Sequence, residues 1–178
     1  MGGSRRNRSK PGFVRIIGGT WRRRRITIPA GLPIRPTPDR VRETVFNWLG
    51  PLLPRATCLD LYAGSGVLGF EALSRGAGCA GLVERDAAAA AAMQEVCAEL
   101  SANAEIVCAD AAEFLERTEA HRFDVAFVDP PYATDVGPVI EALIPALSDG
   151  ARVYLERDRG DPWPELSGLR WVRRGAAG

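Results

Sequence analysis

The sequence predicts an α/β fold: a mostly parallel, twisted sheet with helices on both faces, preceded by an N-terminal β-hairpin. Three observations carry this expectation. From Ala56 onward, short apolar runs alternate with helical patterns, as parallel strands joined by crossover helices do. The first run opens onto a glycine-rich turn, Gly64-Ser65-Gly66-Val67-Leu68-Gly69. The fourth, Val125-Ala126-Phe127-Val128, stops abruptly in Asp129-Pro130-Pro131-Tyr132. Paired prolines neither continue a helix nor donate to a sheet ladder, so the chain turns outward there.

In chain order, residues 1–12 read as a disordered basic tail. Phe13 to Gly18 alternates, meets Gly18-Gly19, and is followed by a second extended run from Trp21 to Ile28, which together read as a hairpin. Arg22–Arg25 lies inside that second run and is expected in an ordered strand. A stiff, proline-rich linker covers residues 29–38. Thr37-Pro38-Asp39 reads as a helix start, with Thr37 as the capping hydroxyl. Val41, Val45, Trp48, Leu49 and Leu52 then recur at helical spacing until Pro51 and Pro54 intervene. Strands are expected at Thr57–Tyr62, Cys79–Glu84, Glu105–Ala109, Phe123–Val128 and Ala151–Glu156. Helices are expected at Leu68–Arg75, Ala87–Ser101, Ala111–Arg117 and Val136–Leu147, and Leu169–Arg173 offers a sixth strand. Residues 39–178 thus form one domain, as 178 residues allow.

Composition narrows the function. Apolar content of 46% and charged content of 25% describe a globular chain, without an apolar run long enough to span a bilayer. The basic N-terminus lacks the apolar core of a signal peptide, so the expected compartment is cytoplasmic. Cys58, Cys79, Cys97 and Cys108 have no CxxC spacing and read as buried, reduced thiols; with His121 the sole histidine, no metal site is expected. The net charge of +1 hides an asymmetry. Residues 1–38 carry ten basic side chains and no acidic one, leaving −9 for the remainder. A basic arm on an acidic body suggests a polyanionic partner.

The candidate cofactor site follows the first strand. Asp60, Ala63, Gly64, Ser65 and Gly66 form a turn whose glycines let a ligand approach the backbone ahead of a helix N-terminus. The turn satisfies GxGxxG, and Glu84, about twenty residues on and followed by Arg85, would bind ribose hydroxyls in either a dinucleotide or S-adenosylmethionine. Asp60 separates the two. A carboxylate there repels a pyrophosphate and attracts the ammonium of a methionine moiety. Asp110, ahead of Ala111, can accept from an adenine amine or simply cap the following helix. At Asp129-Pro130-Pro131-Tyr132, a carboxylate and carbonyls can accept from an exocyclic amine while the ring stacks on a base.

With these residues the chain resembles the bacterial 16S ribosomal RNA guanine-N2 methyltransferases (the RsmD family). The resemblance is carried by Arg15-Ile16-Ile17-Gly18-Gly19-Thr20-Trp21, Arg35-Pro36-Thr37, Asp39-Arg40-Val41-Arg42-Glu43-Thr44, Phe46-Asn47-Trp48-Leu49, Leu59-Asp60, Ala63-Gly64-Ser65-Gly66, Gly69, Glu71-Ala72-Leu73-Ser74-Arg75 and Val128-Asp129-Pro130-Pro131. It implies a Rossmann-like class I methyltransferase that uses S-adenosylmethionine to methylate guanine N2 in small-subunit RNA. Asp129 and the Pro130 carbonyl would accept the amine protons, with Asp129 also touching the cofactor and Pro131 and Tyr132 completing the catalytic tip. RNA would meet Arg15, Trp21, Arg22, Arg23, Arg24, Arg25, Arg35 and Arg40, while Arg40, Arg42 and Glu43 close the pocket or, for the last two, pair along the helix. Relatives carry a final antiparallel strand beyond the Arg174-Gly175 region. It is expected to be missing here, leaving Ala151–Glu156 as an edge prone to strand addition. The competing readings are an adenine-N6 methyltransferase on DNA or RNA, an NAD-dependent oxidoreductase, and an RNA-binding assembly factor without catalysis.

Overall fold

A computed structural model describes residues 11–32, 37–131, 134–157, 160, 164 and 167–175. Two strands, β1 (Gly12–Arg15) and β2 (Arg25–Ile28), pair antiparallel with Val14 opposite Ile26. Then come α1 (Asp39–Leu49), β3 (Thr57–Asp60), α2 (Val67–Ser74), β4 (Cys79–Glu84), α3 (Ala87–Leu100), β5 (Ala104–Cys108), α4 (Ala111–Glu116), β6 (Phe123–Val128), α5 (Val136–Leu143) and β7 (Leu147–Leu155). The main sheet runs β5-β4-β3-β6-β7, every pairing parallel. Strand order reverses between β3 and β6, the place where open α/β sheets bind ligands.

Two apolar layers flank this sheet. One unites Val14, Ile16, Ile26 and Ile28 of the hairpin with Val45 and Phe46 of α1, Phe70 of α2, Met93 of α3 and Phe127 of β6. The other packs Leu115 of α4 and Ile140 and Leu143 of α5 on Leu59, Val83 and Ala126. The hairpin therefore shares the domain's core rather than hanging from it. Among the described residues no helix is long and apolar enough to cross a membrane.

The expected strand at Arg22–Arg25 is largely a turn. The ladder stops at Arg15 opposite Arg25; Arg22, Arg23 and Arg24 donate backbone bonds to Gly19, Ile16 and Trp21, and Arg23 has φ 72°. The cause is docking onto α2. Thr20 N–H donates to the Ser74 carbonyl (2.7 Å), Trp21 N–H to Ser74 Oγ (2.9 Å), and Ser74 Oγ–H to the Gly18 carbonyl (2.6 Å). Gly19 has φ 74°, and a Cβ there would fall onto the Ser74 carbonyl. Only glycine permits this approach.

Other expectations moved too: β3 ends at Asp60 rather than Tyr62, and several ends shift by one residue. Thr37 does not cap α1: Pro38 occupies the N-cap without a side-chain bond. Helix α5 stops at Leu143 instead of Leu147, because Pro145 turns the chain through a short 3-10 segment, Ile144–Ala146, and β7 begins at Leu147. Leu169–Arg173 forms no strand. Nor are the thiols uniformly buried: Cys58 is, and burial first, then neighbouring Cys79 and acidic groups, push it up to about 12, whereas Cys108 is exposed.

Candidate active site

Every strand of the main sheet delivers an acid at its carboxyl end. From one edge to the other they are Asp110 beyond β5, Glu84 ending β4, Asp60 ending β3, Asp129 after β6 and Glu156 after β7. The parallel register aligns them, with Leu61 N–H bonded to the Phe127 carbonyl (3.0 Å) and Glu156 N–H to the Val128 carbonyl (3.0 Å). Asp60 and Asp129 stand on either side of the β3/β6 switch point.

The turn after β3 is held by these acids. Glu84 Oε2 accepts from Gly64 N–H and Oε1 from Asp86 N–H, both at 2.8 Å. Asp60 is 1% exposed, and its Oδ2 accepts from Gly69 N–H (3.0 Å), fixing the first turn of α2. Burial, with further repulsion from Asp129 and Glu84, raises Asp60 to about 7 despite that bond. It is thus a buried acid at the carboxyl end of β3. Gly66 ends the turn at φ 75°, where a Cβ would press on Phe70, Met93 and Leu82. Ser65 and Ala63 are buried beside it, Gly64 is half-buried and Arg85 is exposed. Asp110 caps α4 through Ala112 N–H (2.9 Å), with Ala111 buried behind it. It and Tyr62 share one end of the edge: burial, then the Asp110 charge, raises the Tyr62 phenol.

At the other end lies a cluster that sequence reasoning missed. Thr37, 5% exposed, sets Oγ1 at 3.3 Å from Asp129 Oδ2 and 3.4 Å from Glu156 Oε2. Tyr154 O–H donates to the same Glu156 Oε2 (2.9 Å). Burial and then the Glu156 charge raise Asp129 to about 7, while the Thr37 hydroxyl opposes the shift. Tyr154 is also raised, by burial first and Glu156 next. One signal could have found Glu156: it ends the fifth strand as Asp60 ends the first. Nothing local pointed to Thr37, whose partners lie 92 and 119 residues away. Pro130 is half-buried and Pro131 exposed, whereas Tyr132 lies outside the described residues.

Arg42 lies inside the fold rather than on its surface. It is wholly buried, donating to the Thr37 carbonyl (3.1 Å), Glu71 Oε2 (3.3 Å) and Asp39 Oδ1 (2.6 Å). Its acidic partners are therefore Asp39 and Glu71, not the exposed Glu43. Glu71, 0% exposed, also accepts from Ile17 N–H (2.7 Å), Gly18 N–H (2.8 Å) and Arg75 Nε (2.7 Å).

The basic residues read as RNA contacts divide. Arg22, Arg23, Arg24, Arg25 and Arg40 are exposed, with Arg25 over the Phe13 ring. Arg15 is exposed but paired with Asp39 (2.9 Å); burial opposes ionisation of Asp39, yet Arg15 and Arg42 hold it below its ordinary value. Trp21 is half-buried against the core. Arg35 lies outside the described residues. A cleft of about 370 Å³ beneath the hairpin turn is lined by Arg15, Arg22, Arg23 and Arg75 together with Asp39 and Glu43.

The comparisons agree with this geometry. Residues 14–178 match the family model described as "Conserved hypothetical protein 95". The chain is 43% identical over 159 residues to ribosomal RNA small subunit methyltransferase D of Escherichia coli, covering 85% of this chain and 78% of that protein. It is 38% identical to the Haemophilus influenzae protein of the same name, over 85% and 82%. Among solved structures, the one described as "Putative methyltransferase yhhF from Escherichia coli" superposes with a TM-score of 0.80 at 40% identity, covering 88% of this chain and 87% of that one. A Rossmann-like sheet ending in ordered carboxylates, a hairpin locked to α2 and these likenesses converge: the chain belongs to the conserved hypothetical protein 95 family, the RsmD-like class I methyltransferases.

Proposed function

We propose that this protein transfers the methyl group of S-adenosylmethionine to the exocyclic N2 amine of a guanine in 16S ribosomal RNA, within a small ribosomal subunit or its assembly intermediate. The observation that carries the reading is the row of acids along the sheet's carboxyl edge, with Asp129 beside the switch point. The donor set fits this cofactor. A sulfonium and an ammonium would relieve the mutual repulsion of Asp60, Glu84 and Asp129, where a pyrophosphate would aggravate it. Glu84 would accept from ribose hydroxyls, the Gly64–Gly66 turn would lie against the methionine moiety, and Asp110 and Ala111 would meet the adenine. Bound there, the cofactor supplies an electrophilic methyl.

The protein's share is placement and proton handling. Guanine N2 is a weak nucleophile because its lone pair is delocalised into the ring. Asp129 and the Pro130 carbonyl accept its N–H bonds, aim the nitrogen in line, and Asp129 takes the proton released as the N–C bond forms. An acid with its affinity near 7 is well matched to that task at neutral pH. Tyr132 offers a ring for a base withdrawn from its helix. The exposed arginines of the hairpin turn contact phosphates. The names of the curated relatives support a small-subunit RNA substrate.

The test incubates the protein with labelled S-adenosylmethionine and separate pools of small subunits, naked ribosomal RNA and DNA, then digests to nucleosides. Label in N2-methylguanosine from the small-subunit pool is expected. Label in N6-methyladenine, or in DNA alone, would sink the reading in favour of an adenine methyltransferase.

A further inference from the structure

We propose that Glu156 reads the target base, its carboxylate accepting guanine N1–H beside the amine held by Asp129. The inference rests on the guanine-N2 reading above and extends it to specificity.

Acceptors outnumber donors in the Thr37 cluster. Two carboxylates share one hydroxyl, and Thr37 has a single proton to give. Tyr154 adds a second donor, but to Glu156 Oε2, the same oxygen that faces Thr37. Among the hydrogen bonds of the described residues, Glu156 Oε1 and Asp129 Oδ1 are left as acceptors. By contrast, Glu71 in the same domain is met by two backbone N–H groups and two arginines. Side by side, Asp129 and Glu156 repel, and no ion pair among those found for the described residues reaches them as Arg42 reaches Glu71.

Such a pair suits a ligand edge made of adjacent donors. Guanine has that edge: N1–H lies next to N2–H₂. Adenine offers one donor amine beside the N1 lone pair, which a carboxylate would repel. With Asp129 engaged on the amine, a neighbouring acceptor is needed for N1–H, and Glu156 is next along the sheet. Thr37 and Tyr154 act as positioning residues, holding Glu156 Oε2 so that Oε1 is presented. During transfer the S–CH3 bond breaks with its electrons going to sulfur, the N2–CH3 bond forms, and one N2 proton passes to Asp129. Glu156 accepts a hydrogen bond throughout and takes no proton.

The decisive substrate keeps the amine and removes N1–H. Once the modified nucleotide is mapped, RNA carrying 2-aminopurine at that position is compared with the guanine RNA in the same particle. The wild-type protein should favour guanine by at least about tenfold in kcat/KM, since a hydrogen bond to a charged group is worth about 1.5–3 kcal/mol. Glu156→Gln, whose amide can donate to a ring lone pair, should narrow that preference at least about tenfold while its affinity for S-adenosylmethionine is unchanged. Equal wild-type rates on the two bases would overturn the inference alone. So would an unaltered preference in a Glu156→Gln protein that still binds cofactor. Should that variant fail to fold, the wild-type comparison stands by itself. Absence of any transfer to the guanine RNA by the wild-type protein would overturn the parent reading, and this inference with it.

Discussion

Glu71 and Asp129 are acids drawn into one domain on opposite terms. Glu71 is completely enclosed, yet two backbone N–H groups and the guanidinium groups of Arg42 and Arg75 meet its oxygens. It ties the hairpin, α1 and α2 together. Asp129 is only half-buried, but it faces another carboxylate across one hydroxyl and is raised to about 7. A buried charge that serves the fold is surrounded by its complement. A charge with few partners among the described residues, at the carboxyl edge of a parallel sheet, is the pattern of a functional site, where perturbed acids gather.

The comparison can be broken by deleting each acid. Glu71→Ala leaves Arg42 Nη1 and two backbone donors without their acceptor inside the protein, so a loss of about 3–5 kcal/mol is expected, the usual cost of removing one partner of a buried pair. Denaturant unfolding at neutral pH measures it, and a loss under about 1 kcal/mol would show that water reaches the site and that Glu71 is not the hub. Asp129→Asn should do the reverse: methyl transfer falls by about 10²–10⁴-fold, the range for a lost general base, while cofactor affinity changes far less. Undiminished transfer to the same RNA would remove Asp129 from the chemistry.

How much of this was legible in the chain depends on how local the cause is. Strand–helix alternation, the Gly64–Gly66 turn and the abrupt stop at Asp129-Pro130 are written in neighbouring residues, and the sheet they imply is the sheet found. Arg22–Arg25 misled because a run of arginines says nothing about backbone shape; the turn there is set by Ser74, more than fifty residues away. Thr37-Pro38-Asp39 has the composition of a helix cap, but the hydroxyl answers to Asp129 and Glu156 instead. Arg42 and Glu71 were visible only as parts of a family pattern, and their burial depends on three elements meeting. Glu156 was readable in principle, by asking what ends each strand.

Two smaller effects sharpen the contrast. Gly19→Ala places a methyl group against the Ser74 carbonyl in a left-handed backbone, so a cost of about 1–3 kcal/mol is expected. A melting temperature equal to wild type would mean the hairpin can undock freely. The last effect depends on pH. Because burial raises Asp129 from the ordinary 3.8 to about 7, the folded state holds more protons than the unfolded chain between those values. Its contribution to stability is therefore fully present below about pH 4 and is lost as pH climbs toward and past 7. Asp129→Asn lacks this penalty, so its melting temperature should gain on wild type between pH 5 and pH 8. A constant gap across that range would argue that the carboxylate is well solvated.

The docking of the hairpin on α2 has a geometric consequence. Gly18, Thr20 and Trp21 are each bonded to Ser74, and the glycine turn at the other end of α2 lies at the carboxyl edge of the sheet. Helix α2 is then a spacer of fixed length between the arginine-rich turn and the edge that carries Asp129. A nucleic acid gripped by that turn would have one nucleotide presented to Asp129 by distance along its backbone. The enzyme would choose its target as a caliper does, by span, before any base is inspected.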